Sequence, residues 1–274
     1  DDSAGGDTNG DGAGQGQPGD WGRIYFSDTV IDFLTRLDYV SIRYGGSSNE
    51  GLVYIYRANI SLTNSEFRDS SQRGIQVYQA SPTLTGNTIV DNAELGIYLW
   101  SNGSALIDGN TISGNSYGIY AADSVAPSIH NNTITDNSTW GLYFTSSGSA
   151  APVITGNTIT GNRYSAILPA NTVPNSTDGN QLVPNEINAL WIRGNTLTHD
   201  LQLEVLSSGA DELNSYRISQ IVSVGSGVTL TVDPGVVVKF YDSGSGINVN
   251  AGGTLTAVGT ADDRIVFTSQ KDDR

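Results

Sequence analysis

Apolar and polar residues alternate in short bursts along this chain, and the bursts recur. Leu84-Thr-Gly-Asn-Thr-Ile-Val-Asp-Asn is followed by Ile107-Asp-Gly-Asn-Thr-Ile-Ser-Gly-Asn, Ile129-His-Asn-Asn-Thr-Ile-Thr-Asp-Asn and Ile154-Thr-Gly-Asn-Thr-Ile-Thr-Gly-Asn. The first Asn of each phrase is Asn87, Asn110, Asn132 or Asn157, at spacings of 23, 22 and 25 residues. A second Asn, at Asn92, Asn115, Asn137 or Asn162, closes each phrase. Next comes a Gly-apolar pair, as in Gly74-Ile75, Gly96-Ile97, Gly118-Ile119 and Gly141-Leu142, with Ala166-Ile167 after Asn157. The alternation has the two-residue period of a strand with one buried face. No segment carries an apolar stripe at helical spacing, and Gly, Asn, Ser and Thr are poor helix formers. A period of about two dozen residues is too short for a domain and marks one coil of a stacked repeat.

The elements predicted are the two or three short strands of a β-solenoid rung. Stacked rungs set equivalent residues ~4.8 Å apart, so Ile89, Ile112, Ile134 and Ile159 should form one buried column. The Asn positions should form side-chain amide ladders along the stack. Asn also tolerates the left-handed backbone of a sharp corner. Weaker copies of the phrase at Asn64 and Asn195 extend the first ladder, giving Asn64, Asn87, Asn110, Asn132, Asn157 and Asn195 beside Asn92, Asn115, Asn137 and Asn162.

Residues 1–20 are Gly- and Asp-rich and read as an acidic loop. Regular rungs cover 21–168, beginning at Trp21-Gly-Arg-Ile-Tyr-Phe. Residues 169–188 carry Pro169, Pro174 and Pro184 and read as an irregular excursion on one edge. Rungs resume at Ala189-Leu-Trp-Ile and continue to 274 as β-branched strands between Gly turns. A solenoid grows lengthwise, so 1–274 reads as one domain.

Composition narrows the partners. The formal charge is −15, with 13 Lys and Arg against 28 Asp and Glu, which disfavours duplex nucleic acid and anionic membranes. The absence of Cys excludes disulfides, thiolate metal sites and a Cys nucleophile. No apolar run is long enough for a membrane span. A Thr/Asn/Ser/Gly-rich β-protein with few Lys points to secretion or the cell surface. The chain opens without a basic-then-apolar leader, so the leader has been removed or the chain was cut from a longer one.

The phrases Asn-Thr-Ile-x-x-Asn and Gly-Ile-Tyr resemble the right-handed parallel β-helix repeats of the NosD-like and pectate-lyase-like group. The last third, from Leu230-Thr-Val-Asp-Pro-Gly through Leu255-Thr-Ala-Val-Gly-Thr-Ala-Asp-Asp to Ile265-Val-Phe-Thr-Ser, resembles a segment of large secreted bacterial repeat proteins. There that segment runs directly into a stretch like the one at residues 5–26 here, so the resemblance holds in permuted order. It implies an all-β, right-handed parallel β-helix of 22–25 residues per rung, and many roles are built on that fold. The permutation makes the two ends complementary halves of one joint, either between tandem units or between stacked subunits. A bare end of a few hundred Å2 of apolar surface is worth on the order of 5–10 kcal/mol, and a head-to-tail contact that does not close gives a filament.

Asp7-Thr-Asn-Gly-Asp-Gly offers oxygens at alternate positions and a Gly turn, the first half of a calcium loop. Asp7, Asn9 and Asp11 would be completed by Asp20, or by Asp272 and Asp273 of a neighbouring unit, with Ca2+ as the cofactor. Pro18 stands where an EF-hand has Glu. For catalysis, phrase alignment stacks Thr85, Asp108, His130, Thr155 and Arg193 in one column, and places Asp91 and Asp136 in another around Gly114. An Asp108–His130 pair there reads as a surface ion pair; no catalytic residue is assigned. Two His without Cys or Met do not suit copper delivery. The aromatics recurring beside Gly-Ile-Tyr read first as a ladder that stiffens the sheet. Tyr98, Trp100, Tyr120 and Tyr143 are also the residues that could face a polysaccharide. The expected function is therefore an extracellular structural solenoid that associates with itself head to tail. A polysaccharide-binding or polysaccharide-cleaving β-helix is the alternative.

Overall fold

A computed structural model describes residues 5–7, 10, 12, 14–47, 49–146, 152–208 and 210–272. The chain winds as a parallel β-helix. A regular turn holds one strand of five or six residues and two of three, as in Leu95–Trp100, Leu106–Asp108 and Thr111–Ser113. Each strand pairs in parallel with its equivalent one turn away. The longer strands build an 11-stranded sheet from Ile24–Phe26 to Val266–Ser269. The short strands build two 6-stranded sheets, up to Thr158–Thr160. Beyond residue 188 smaller sheets replace the two short-strand sheets, and one antiparallel hairpin, Leu206–Ser208 with Asp211–Leu213, packs its Leu213 into the core.

Three apolar columns meet inside. Phe67, Ile89, Ile112, Ile134 and Ile159 form one, register partners in sequence and fully buried. Leu62, Leu84, Ile107 and Ile129 form the second, and Val53, Ile75, Ile97, Ile119 and Leu142 the third. A β-branched side chain standing on its own image every ~4.8 Å fills such a column without gaps.

The corners before and after the second short strand of each turn hold the ladders. Asn110 Oδ1 accepts from the Asn87 backbone N–H at 2.8 Å and from Asn87 Nδ2 at 3.0 Å. Asn110 Nδ2 in turn donates to the Leu84 carbonyl at 2.9 Å and to Asn132 Oδ1 at 2.9 Å. The second ladder, Asn92 to Asn162, repeats the pattern. These side chains are 1% exposed, so their backbone partners have no water to turn to. The left-handed residue at each corner is not the ladder Asn but the one before it. Asn64, Gly86, Gly109, Asn131 and Gly156 have φ of 48°, 67°, 65°, 54° and 68°. Gly-Asn, Asn-Asn and Asp-Asn are thus one device: a residue that accepts positive φ, then a buried amide.

Two ladder assignments need correction. Phe67 pairs with Ile89, which places Ser65, not Asn64, opposite Asn87. The Ser65 N–H donates to Asn87 Oδ1, while Asn64 donates from Nδ2 to Asp38. At the other end the partner of Asn157 is Asn180, and that of Asn162 is Asn185, both inside the Pro-rich segment. Asn195 follows the strand Ala189–Arg193, at a different corner. The 169–188 excursion is accordingly short. Two 3-10 turns, Ala170–Thr172 and Ser176–Asp178, leave the coil. From Asn180 the chain is back in the stack, with Gln181 bridging Thr158, Leu182 and Val183 buried, and Ile187 bridging Tyr164.

The recurring Gly before the third column is a matter of space. A Cβ on Gly118 would lie 2.6 Å from the Gly141 carbonyl oxygen and 2.7 Å from Ile134 Cγ2. Gly74, Gly96 and Gly141 are equally crowded. After Asn157 the register differs from the phrase alignment by one residue. Leu142 pairs with Ala166, so Ser165 takes the Gly slot and Ile167 joins Tyr143 on the outer face. A one-residue slip reverses faces because side chains alternate.

Asn110→Ala should therefore lower the unfolding free energy by about 3 kcal/mol, since two buried backbone groups lose partners at about 1–3 kcal/mol each. Gly118→Ala should cost about 1–3 kcal/mol through overpacking. Thr111→Ala, at an exposed site one residue from the ladder, should change it by less than about 0.5 kcal/mol. Reversible urea unfolding of the three variants measures all three.

Candidate aromatic face and cleft

The outer face of the long sheet concentrates the chemistry. Register places Tyr25, Tyr54, Gln76, Tyr98, Tyr120, Tyr143, Ile167, Trp191, Arg217, Lys239 and Thr268 in one outward row. Tyr56, Tyr78 and Trp100 form a second row, and Tyr117, Trp140 and Tyr164 a third. Ring contacts run without a break from Tyr25 to Tyr241. Many rings are stacked face to face: Tyr56–Tyr78 at 5.2 Å and 5°, Tyr120–Tyr143 at 4.9 Å and 25°, Trp140–Tyr164 at 4.4 Å and 24°. Tyr98, Trp100, Tyr120 and Tyr143 all lie on this face, yet stacking spends the faces of Tyr120 and Tyr143 on each other. Such contacts add about 0.5–1.5 kcal/mol per pair and stiffen the sheet.

Guanidinium groups are laid over the rings. Arg23 covers Tyr25 and Tyr54, Arg57 covers Tyr56, Arg73 covers Tyr98, and Arg163 covers Tyr164. Arg193 sits over Tyr143 and Arg217 over Trp191, each 5.5 Å from the centroid. In a chain of charge −15, much of the positive charge is thus held against one aromatic wall.

Midway along the upper half this wall opens into a cleft of about 370 Å3 lined by Tyr143, Trp191, Arg193, Gln220, Tyr241 and Asp242, among others. Arg193 Nη2 donates to Tyr143 Oη at 3.1 Å, and its Nε donates to the Phe144 carbonyl. Trp191 is 9% exposed, and its indole N–H has no hydrogen-bond partner among the described residues. Tyr241, 43% exposed, meets Trp191 at 5.5 Å. Phrase alignment missed this cleft because Trp191 and Tyr241 belong to turns that lack the Asn-Thr-Ile phrase.

The catalytic column is only partly assembled. Thr85, Asp108, His130 and Thr155 are register neighbours. Arg193 is not among them; it pairs with Pro169 in the long sheet. His130 Nδ1 bonds Thr155 Oγ1 at 2.7 Å, and Asp108 accepts from Asn131 Nδ2 at 2.9 Å, so each is committed to a neighbour other than the other. Asp91 and Asp136 lie at equivalent corners around Gly114, and Arg68 Nη2 reaches Asp91 at 3.4 Å. Of the calcium candidates, Asn9, Asp11 and Asp273 lie outside the described residues. Asp7 accepts from the Gly10 and Gly12 N–H groups, Asp20 from the Gln17 N–H, and Asp272 from Thr268 Oγ1. Among the described residues no three His, Cys, Asp or Glu side chains cluster as metal ligands do. No helix there is long and apolar enough to cross a membrane.

Residues 28–182 match the family described as the right handed beta helix region, and the chain belongs to that family. No curated protein and no solved structure matches it. The fold is shared by enzymes and non-enzymes.

Burial raises the tyrosine hydroxyls of this wall, at Tyr54, Tyr98, Tyr117 and Tyr120, above the ordinary tyrosine range. It does so most for Tyr216, which is buried in the core and donates to the Glu204 carbonyl. An unfolded tyrosine ionises near pH 10, whereas these keep their protons higher in the folded state. The unfolded chain then binds fewer protons, so stability is retained below about pH 10 and falls as pH rises beyond it. Urea midpoints measured across that range should decline, and Tyr216→Phe should flatten the decline while lowering stability at neutral pH.

Proposed function

We propose that this protein is a non-enzymatic structural β-solenoid of the cell exterior, extended by head-to-tail stacking with calcium at or near the joint. The observation that carries the reading is the state of the two end turns. At the first, Ile31, Phe33, Leu34 and Tyr39 are 57%, 85%, 63% and 80% exposed. At the last, Val249, Leu255, Val258, Val266 and Phe267 are 45%, 39%, 70%, 41% and 43% exposed. The edge strands Ile24–Phe26 and Val266–Ser269 bound the same parallel sheet, so one can pair with the other by translation alone. Pleat parity limits the register. Phe267 continues the buried Val238 position and Ile24 the buried Val53 position, so inward residues meet inward ones and Thr268 meets Tyr25. The calcium element rests on Asp7-Thr-Asn-Gly-Asp-Gly.

The chain has no cysteine, so a Thr268→Cys, Tyr25→Cys double variant gives a clean trap. Oxidation should produce a ladder of covalent oligomers, and sedimentation of the unmodified protein should show association that grows with concentration and weakens with a chelator. Phe267→Asp should abolish both. A single monomeric species at every concentration, with no ladder, overturns the reading; association indifferent to chelator removes calcium from it.

A further inference from the structure

We infer that the aromatic wall carries one-electron oxidation along the solenoid, passing a hole from ring to ring and discharging it at Trp100 and Tyr241. The transfer runs within one chain and does not depend on end-on stacking. The first observation is where the oxidisable side chains lie. The chain has no Cys and no Met, which leaves 13 Tyr and four Trp as its readily oxidised groups. Ten of these Tyr and three of these Trp belong to one connected set of ring contacts on the outer face of the long sheet. A thread leads from Tyr25 through Trp100, Tyr98, Trp140 and Trp191 to Tyr241, and no step between its ring centroids exceeds 6.4 Å. Its ends lie nine strand spacings apart in the sheet, which is ~40 Å. That span is too long for a single tunnelling step, whereas each ring-to-ring step is short.

Protons are accommodated along the thread. A tyrosine gives up its hydroxyl proton with the electron, and every Tyr of the thread is at least partly exposed, so water takes that proton and returns it when the electron is refilled. The buried rings are tryptophans, Trp140 and Trp191, at 8% and 9% exposed. An oxidised indole is a cation that keeps its N–H proton unless a base removes it. The Trp191 N–H has no acceptor among the described residues and is closed to water, so this ring passes the hole on instead of trapping it as a neutral radical. The guanidinium groups set the resting places. A positive charge over a ring opposes the positive charge that oxidation creates there, which disfavours a hole on Tyr25, Tyr98, Tyr143 and Trp191. Among the described residues no guanidinium lies over Trp100 or Tyr241, which are 38% and 43% exposed. A diffusible one-electron oxidant, such as a peroxide-derived radical, takes an electron at Tyr25, and the hole comes to rest at these two rings. A soluble one-electron donor reaches them there and restores the wall.

Because the chain has no cysteine, Asp28→Cys, at an exposed position shortly after Tyr25, takes a single ruthenium polypyridyl label. A light flash with a sacrificial electron acceptor leaves ruthenium(III), which returns to ruthenium(II) by taking one electron from the wall. Transient absorption follows the tyrosyl and tryptophanyl radicals, and spin trapping with peptide mass spectrometry maps where they settle. Radicals at Trp100 and Tyr241 are expected. Tyr98→Phe, Tyr120→Phe and Tyr143→Phe together keep the rings packed but are too hard to oxidise, so they should abolish the Tyr241 radical and leave that at Trp100. Tyr39→Phe, outside the connected set, should change neither. An isotopically labelled chain without ruthenium, mixed in, reports oxidant that escapes into solution and should stay unmodified. Radicals confined to Tyr25 and its immediate neighbours overturn the inference. So does a Tyr241 radical that survives the triple variant with unchanged circular dichroism, or that forms equally on the isotopically labelled chain.

Discussion

At the corners on either side of the second short strand a backbone N–H turns inward, away from water, where nothing in the apolar columns could accept it. The ladder asparagines supply the acceptor. Each side chain takes the N–H of the turn before it and gives its own amide protons to a carbonyl of that turn and to the next Asn. The unit is therefore a contact between turns, and it works only when successive corners lie directly above one another. Two such rows fix the vertical register, and the remaining rules follow from it. A left-handed residue must precede each ladder Asn to bring it inside. The second row presses on the next strand, where a Cβ at Gly74 would lie 2.9 Å from Asn92 Nδ2. The carbonyl of the next strand and an isoleucine methyl crowd the same position, so a small residue stands there, glycine in four turns and Ser165 in the next.

Once register is fixed, whatever the sequence places on the outer face is repeated in line. Tyrosine and tryptophan at equivalent positions become stacked rows, and arginines between them lie across the rings. Ring contacts cover part of this surface, yet Tyr25, Trp100 and Tyr241 stay 45%, 38% and 43% exposed. Ile167 and Arg217 interrupt the row on either side of Trp191. The same logic separates wall from ends. Walls are satisfied laterally by their neighbours, whereas Phe33 in the first described turn and Val258 in the last are 85% and 70% exposed.

The repeat, the strands, the Ile89 column and both ladders were legible between Asn87 and Asn162, because residue type and spacing coincide there. Reading failed where one coordinate was missing. Ser65 stands in the ladder without being Asn, so alignment on Asn64 was shifted by one residue. Ala166-Ile167 imitates Gly-Ile but sits one position later, which sends Ile167 outward. Asn180 and Asn185 are ladder members hidden among prolines, with neither Thr-Ile nor Gly-Ile beside them to announce the turn. Arg193 was set beside His130 by counting from Asn195, a residue of another corner.

What the amino-acid order determined by itself is periodic: strand faces alternate locally, and a side chain that must be buried every two dozen residues states its own repeat. What only the folded coil decided is which atoms of different turns meet. Asp108 and His130 are neighbours in register yet bond elsewhere, to Asn131 and Thr155. The cleft around Trp191 joins residues from turns of unlike length, whose offsets no single period encodes. Local alternation acts through the backbone's own geometry, whereas contacts between turns depend on the sum of every corner in between, and one inserted residue resets them all.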